Sequence, residues 1–360
     1  MQICRSFAAK KNADMKNPIF KNGFIAWSAA LLLLLITKGV QAEQRPGISI
    51  FDKLHTQEVL KVEIETDLDS LLRTLRTEDE VPALFTFKDE KGKKQSWKVK
   101  LQVRGKFRRR TCDFPPLHFK FSKKQLAAAG LNDHNDLKLI THCFDNAQSD
   151  ELVMREYLTY KLYQIVSPHS FRVQLLRVKY RDSQSKRSFT RYNVLVEDDD
   201  EMRERADSKF CNSCYGLPKD TFTEENLTRN CLFQYMIGNS DWSVAMLRNL
   251  KLLQPKDGSK NIIVPYDFDF SGIVSAPYAR PDATLGIRTV RERVLLGFEH
   301  SGEEMAPTIE FFKAHKKVFL DYIHKFKPLS VEARREMIEY IESFYRCLES
   351  ETDMRTPGVC

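Results

Sequence analysis

The chain has 360 residues, 42% hydrophobic and 29% charged, which is enough apolar material for one large core or two smaller ones and excludes a disordered or low-complexity protein. Its formal charge of +8 sits largely at one end: residues 1–42 carry six Lys or Arg against one Asp, and the remainder holds 51 cations against 48 anions, or +3. So small a balance gives no charge argument for nucleic acid as a partner.

At the N-terminus Lys16 and Lys21 precede the apolar run "FIAWSAALLLLLIT", and Val40-Gln41-Ala42 places small residues at a cleavage position. This pattern predicts a secretory signal peptide over residues 1–42, cut after Ala42. The run has 14 residues, short of the roughly 18 to 20 that a spanning helix needs, so no stable transmembrane segment is expected after cleavage. Export to the periplasm, cell envelope or medium follows. Seven cysteines remain in that case: Cys112, Cys143, Cys211, Cys214, Cys231, Cys347 and Cys360. An oxidising compartment favours disulfides among them, and an odd count leaves at least one unpaired. "CNSC" at Cys211–Cys214 has loop-like flanks and no second CxxC nearby, so it reads as a local disulfide rather than a redox or zinc motif.

Residues 43–135 read as β-rich. In "SWKVKLQVRG" Trp97, Val99, Leu101 and Val103 alternate with polar residues, and "PPLHFKF" repeats the pattern. Between them "RGKFRRRTCDFPP" places Arg104, Lys106, Arg108, Arg109 and Arg110 in a basic loop, read either as a charged hairpin facing solvent or as a clamp for phosphates or an acidic polymer. "DLKLIT" predicts a strand with Lys138 facing outward. An amphipathic helix starting near Ser149 then carries Met154, Glu156, Tyr157, Leu158, Leu162 and Ile165. "FRVQLLRVKY" and "FTRYNVLVE" form a hairpin with Glu197 at its exit, and "EDDDE" reads as a solvated linker. A helix follows from Thr221, with a capping box to Glu224 and a stop at Gly238. After the loop "NSDWSVAMLRN" comes a second hairpin, and the tail from about Glu310 to Ser350 holds two amphipathic helices broken at Pro328.

The stretch "IIVPYDFDFSG" runs an apolar strand into Asp267 and Asp269. Carboxylates at the end of a buried strand need a partner, and a cation is the simplest one. Taken in order, strand Lys138, helix Glu156, hairpin-exit Glu197, loop Asp241, then Asn249 and Asp267 make the parts list of a phosphoryl-transfer site. In such a site a lysine held by a glutamate neutralises phosphates, an aspartate orients the acceptor hydroxyl, and oxygen donors hold Mg²⁺. Plainer readings stand beside these: Lys138 solvated, Glu156 paired with Arg155 or Lys161, Asn249 merely opening a strand.

In "VRGK", "MREYLTYKLY", "NVLVE", "GNSDW" and "PYDFDFSG" the chain resembles the CotH-like (spore coat protein H type) atypical kinases, over about residues 98–280. The resemblance implies an α+β, protein-kinase-like two-lobed fold with a β-rich N-terminal addition: the addition at 43–135, an N-lobe at 136–197 and a helical C-lobe at 198–360. It implies ATP with Mg²⁺ or Mn²⁺ as cofactors and transfer to a Ser/Thr or cell-envelope hydroxyl. Asp241 takes the catalytic role; Lys138, Glu156 and Glu197 take the nucleotide; Asn249, Asp267 and Asp269 take the metal, with Arg104 as a weaker match. Seven residues separate Asp241 from Asn249, longer than the family's usual spacing. The rivals are a catalytically inactive binding module and a phosphatase of the haloacid-dehalogenase type, whose Asp-x-Asp motif normally opens its domain.

Overall fold

Alternating apolar side chains close the first half of the chain into a barrel. The computed structural model describes residues 47–56, 59–350 and 354–358, so the expected signal peptide lies outside the described residues. Seven strands form the barrel: β1 (Leu60–Thr66), β2 (Val81–Lys88), β3 (Lys94–Val103), β4 (Leu117–Phe121), β5 (Asp136–Ile140), β6 (Val173–Asp182) and β7 (Ser188–Val196). Their order is β1-β2-β3-β4-β5-β7-β6, and β6 returns to β1. That closing pair is parallel, with Ile64 opposite Tyr180, whereas the other neighbours are antiparallel. Period two points Trp97, Val99, Leu101 and Val103 of β3 inward, where they meet Phe85, Phe119 and Phe121. Phe85 packs edge-on against Phe119 with ring centroids 5.0 Å apart. Three short helices, α1 (Ile50–Leu54), α2 (Leu68–Arg73) and α4 (Lys123–Ala128), add apolar residues to the same core. The four-residue α3 (Arg108–Thr111) lies in the β3–β4 connection.

A second core surrounds helix α5 (Ala147–Val166). Asn146 caps it through a bond from Ser149 N–H (2.9 Å), and buried residues fall on most of its circumference. Around it lie α7 (Glu224–Ile237), α8 (Gly302–Lys325), α9 (Val331–Glu349) and a three-stranded sheet of β8 (Ser208–Phe210), β9 (Leu250–Pro255) and β10 (Ile262–Pro265), in the order β10-β9-β8. Gly238 ends α7 in the left-handed region at φ +63°. A Cβ there would also lie 2.0 Å from Tyr340 Oη, so both backbone and packing demand glycine.

The closed barrel overturns the expectation of a two-lobed kinase-like fold. The architecture is mixed α+β with a seven-stranded mixed barrel, and β4 and β5, expected on opposite sides of a boundary at residue 135, are paired neighbours. The decisive contact, β1 with β6, joins segments more than a hundred residues apart, and no local periodicity encodes such a pairing. Two smaller expectations change as well. "EDDDE" is no linker: Asp198 caps α6 (Asp199–Arg205), whose first-turn acids suit the positive end of the helix. Thr223, not Thr221, stands at the N-cap of α7, and no capping box forms.

Cys112 is bonded to Cys143 and Cys211 to Cys214, Cys347 is disulfide-bonded as well, and Cys231 is a buried free thiol. Such bonds are compatible with an exported protein. Among the described residues no helix is long and apolar enough to cross a membrane.

Barrel closure predicts a graded response to truncation. Ile64 is fully buried on β1, so Ile64→Ala is expected to lower the free energy of urea unfolding by about 2–5 kcal/mol. Leu84 on β2 is 40% exposed, and Leu84→Ala is expected to change it by less than about 0.5 kcal/mol. Equal losses would mean that β1 is not part of the cooperative core.

Candidate functional site

Where the barrel meets the second core, five chain segments bring charged side chains together. The β3–β4 connection supplies Arg104 and, from α3, Arg108, β5 supplies Lys138, α5 supplies Glu156 and Tyr160, the α7–β9 loop supplies Asp241 and Asn249, and the turn after β10 supplies Asp267 and Asp269. A narrow cleft is lined by Arg104, Lys138, Ile140, Tyr160, Phe171, Val196, Tyr266 and Asp267.

Asp267 is the one carboxylate among these lining residues. Its backbone is left-handed at φ +64°, a conformation that only a few side chains tolerate and that marks functional turns. Two bonds hold it there: Asp267 N–H donates to Tyr160 Oη (2.9 Å), and Tyr266 N–H donates to the Asn249 carbonyl (3.0 Å). Among the described residues its half-buried carboxylate has neither a hydrogen-bond nor an ion-pair partner. Gly272, the last residue of the motif, sits where a Cβ would come within 2.3 Å of Tyr340 Oη and 2.5 Å of the Val290 carbonyl, so the turn can close only on glycine.

Asp241 and Asn249 form one unit. Asn249, itself at φ +52°, donates from Nδ2 to both the carbonyl (2.7 Å) and Oδ2 (2.9 Å) of Asp241. This fixes the amide so that its Oδ1 is left without a partner among the described residues. Arg248 reaches the other carboxylate oxygen of Asp241 at 3.4 Å. Burial raises the Asp241 carboxyl above its usual range; Arg248 works against that rise and the charge of Asp267 adds to it, so Asp241 and Asp267 are electrostatic neighbours.

Behind Asp267 lies a buried ion cluster. Asp269 accepts from Tyr278 Oη (3.0 Å) and stands 3.9 Å from Arg108 Nη1, which is 4.0 Å from Glu156 Oε2. Arg108 is 7% exposed and donates to the Thr141 carbonyl at 2.5 Å. Burial works against its charge, yet Tyr278, Asp269, Glu156 and Asp267 hold the guanidinium more firmly protonated than usual. Burial, then Asp267, push Asp269 up to about 7, against the pull of Arg108. Glu156 is raised well above the carboxylate range, by burial first and Asp269 next, and its Oε1 is buried without a hydrogen-bond partner among the described residues.

The expected Lys138–Glu156 pair does not form. Lys138 contacts Asp199 of α6, which Lys251 shares at 2.8 Å, and its ammonium faces the rings of Phe171 and Tyr266. Burial lowers it to about 8 although Asp199 supports its charge. Glu156 has Arg108 instead. Glu197, expected at the nucleotide, is fully buried and saturated by Arg172 (N–H at 2.6 Å, Nε at 2.7 Å) and Arg205 (2.6 Å), so it ties the hairpin exit to α6. Asp269 lies behind the cleft, on Tyr278 and Arg108. Arg108, Tyr160 and Tyr278 were not expected here. The basic loop does not simply face solvent: Arg108 turns inward while Arg109 pairs with Glu78. Its one sequence signal was Cys112, a residue that anchors the loop if it is bridged.

The donor set can be tested against a hard divalent ion. Asp267, the Oδ1 of Asn249 and Asp241 offer oxygen only, which suits Mg²⁺ or Mn²⁺. Among the described residues no three His, Cys, Asp or Glu side chains form a metal cage by themselves, and Mg²⁺ commonly takes one or two carboxylates with waters and substrate phosphates. The residues fit that mode. Arg104, whose guanidinium has no ion-pair partner among the described residues, and Lys138 line the same cleft as complements to phosphate. A scan against protein-family models finds no match for the chain, and a search of curated proteins finds no relative.

The raised carboxyl of Asp269 has a pH signature. Between its ordinary 3.8 and about 7 the folded protein binds a proton that the unfolded chain releases, so this group's contribution to stability falls as pH rises through that window and is level above it. Buried histidines such as His142, lowered to about 3, act in the opposite sense. The wild-type minus Asp269→Asn difference in unfolding free energy is therefore expected to decrease from pH 5 to pH 8. A difference that grows with pH would mean that Asp269 folds as a stabilised carboxylate.

Proposed function

We propose that the protein is an exported phosphotransferase that moves a phosphoryl group from a Mg²⁺-bound nucleotide such as ATP to a Ser/Thr or cell-envelope hydroxyl. The observation that carries the reading is Asp267: a strained aspartate whose carboxylate has no partner among the described residues, lining one cleft with Lys138 and with Arg104, which has no ion-pair partner among them, beside the locked Asp241–Asn249 unit. The likeness of "GNSDW" and "PYDFDFSG" to CotH-like kinases supports it through the site alone, since the fold does not follow.

In this reading Asp267 and the Oδ1 of Asn249 hold the metal, which when bound supplies charge neutralisation at the phosphates. Arg104 binds phosphate oxygens from the mouth of the cleft, and Lys138 does so from the barrel wall while Asp199 holds it in place. Asp241 orients the acceptor hydroxyl and takes its proton at Oδ1, the oxygen held only loosely by Arg248; burial raises the carboxyl toward that task. Tyr160 keeps Asp267 in its left-handed turn. A catalytically inactive binding module is the second reading, favoured by Lys138 pairing with Asp199 rather than Glu156.

Thermal unfolding with and without Mg-ATP tests it. At a hundred times the dissociation constant, ligand adds about 2.7 kcal/mol of apparent stability, a clear rise in melting temperature. That rise is expected in the wild type only with the metal present and is expected to vanish in Asp267→Ala. Phosphate incorporation into an envelope fraction is expected to be lost in Asp241→Asn. Absence of any shift in both proteins would overturn the nucleotide reading, and binding without transfer would favour the inactive module.

A further inference from the structure

We propose that Arg108 is a positioning residue of this site and that the Cys112–Cys143 disulfide seats it, so that the site is complete only after those two thiols are oxidised. What the site binds rests on the reading above.

The nine residues Arg104–Cys112 form a strap from the end of β3 across the acidic cluster. The strap delivers Arg104 to the cleft and Arg108 to Glu156 and Asp269, and lays Phe107 against Phe270 and Tyr278 at 5.3 and 6.1 Å. Little in the strap would fold alone. Helix α3 has four residues, three of them arginines, and no side-chain cap, and an isolated turn of this length is unstable. Gly105, at φ +83°, loosens its start. Its far end is fixed covalently, because Cys112, whose N–H bonds to the Arg108 carbonyl at 2.9 Å, is bridged to Cys143. The segment it is bridged to is also the one that receives Arg108: Thr141, two residues before Cys143, accepts the guanidinium, and Phe114 N–H donates to the Cys143 carbonyl at 3.2 Å. The disulfide thus fixes both the strap carrying the cation and the carbonyl holding it.

Without that seat, Glu156 and Asp269 are two buried carboxylates with no cation between them, behind the carboxylate of Asp267. Arg104 stays on the barrel, its N–H bonded to the Pro116 carbonyl at 2.8 Å, so it is the part of the strap beyond Gly105, with Arg108, that loses its seat. Oxidation proceeds by exchange with a disulfide-bearing oxidant: the two cysteine thiols give up two protons and two electrons, their S–S bond forms, and the oxidant leaves as a dithiol. A chain still in a reducing compartment therefore carries an incomplete site, and oxidation after export completes it.

The experiment compares wild type, Cys112→Ala/Cys143→Ala, Arg108→Met, Arg108→Lys and the combined Cys112→Ala/Cys143→Ala/Arg108→Met protein. Hydrogen exchange of the peptide covering 104–116 and the dissociation constant for Mg-ATP are measured on each. Expected are faster exchange in 104–116 and at least tenfold weaker Mg-ATP binding in the cysteine variant, a similar weakening in Arg108→Met, no further loss on combining them, and partial recovery in Arg108→Lys. If the cysteine variant does not fold, native wild-type protein treated with dithiothreitol replaces it, with Cys211→Ala/Cys214→Ala and Cys347→Ala as the controls for the other bonds. Wild-type exchange in 104–116 after loss of the bond overturns the seating. Multiplying effects of the two changes overturn the route through Arg108. If wild type binds no Mg-ATP, the nucleotide reading fails, while exchange still decides the seating.

Discussion

Three carboxylates, the buried Glu156 and Asp269 and the half-buried Asp267 that lines the cleft in front of them, lie within reach of one another's charge, and much of the surrounding structure answers to that fact. Burial raises the cost of charging Glu156 and Asp269, the charge of Asp267 adds to it for both, and Asp269 adds to it for Glu156. The fold compensates with Arg108, a guanidinium near both Glu156 and Asp269, and with Tyr278, which donates to Asp269. Compensation is incomplete: Glu156 Oε1 has no partner and the Asp267 carboxylate none among the described residues. A native protein rarely keeps buried acceptors idle unless something else is meant to meet them.

The barrel makes such a pocket tolerable. Closure leaves no free sheet edge, and its aromatic core holds the strand ends that carry Arg104 and Lys138 on a rigid wall. On the opposite side α5 is buried over most of its surface, which fixes Glu156 and Tyr160 as firmly as an interior residue can be fixed. The left-handed residues Asn249 and Asp267 are then held between two rigid bodies of structure, where the strain of their backbone can persist.

How much of this was legible depends on distance along the chain. The apolar run into "DFDFS" betrays its aspartates locally, because a strand that ends on acids states its own electrostatic problem. Asp241 and Asn249 are hydrogen-bonded to each other, and Asp267 is an electrostatic neighbour of Asp241. The partner assignments were not legible. Lys138 and Glu156 each lie on a recognisable element, yet Lys138 found Asp199, in a segment read as a solvated linker, and Glu156 found Arg108, in a loop read as a charged surface or a clamp. Composition could not separate the one inward arginine from its neighbours, since an i to i+1 step along a loop says nothing about direction. Glu197 misled for the same reason: a glutamate after a hairpin looks the same whether it faces a ligand or two arginines.

By itself the sequence determined the periodic elements, the glycine stops, the local Cys211–Cys214 bond and the acids that seek a cation, all of which depend on residues a few positions apart. Only the tertiary structure decided that the strands close into a barrel through β1 and β6, that the strap folds back under a disulfide spanning 31 residues, and which cation faces which carboxylate. Those outcomes turn on loop closure and burial between distant segments, where the free energy belongs to the pair and not to either stretch alone.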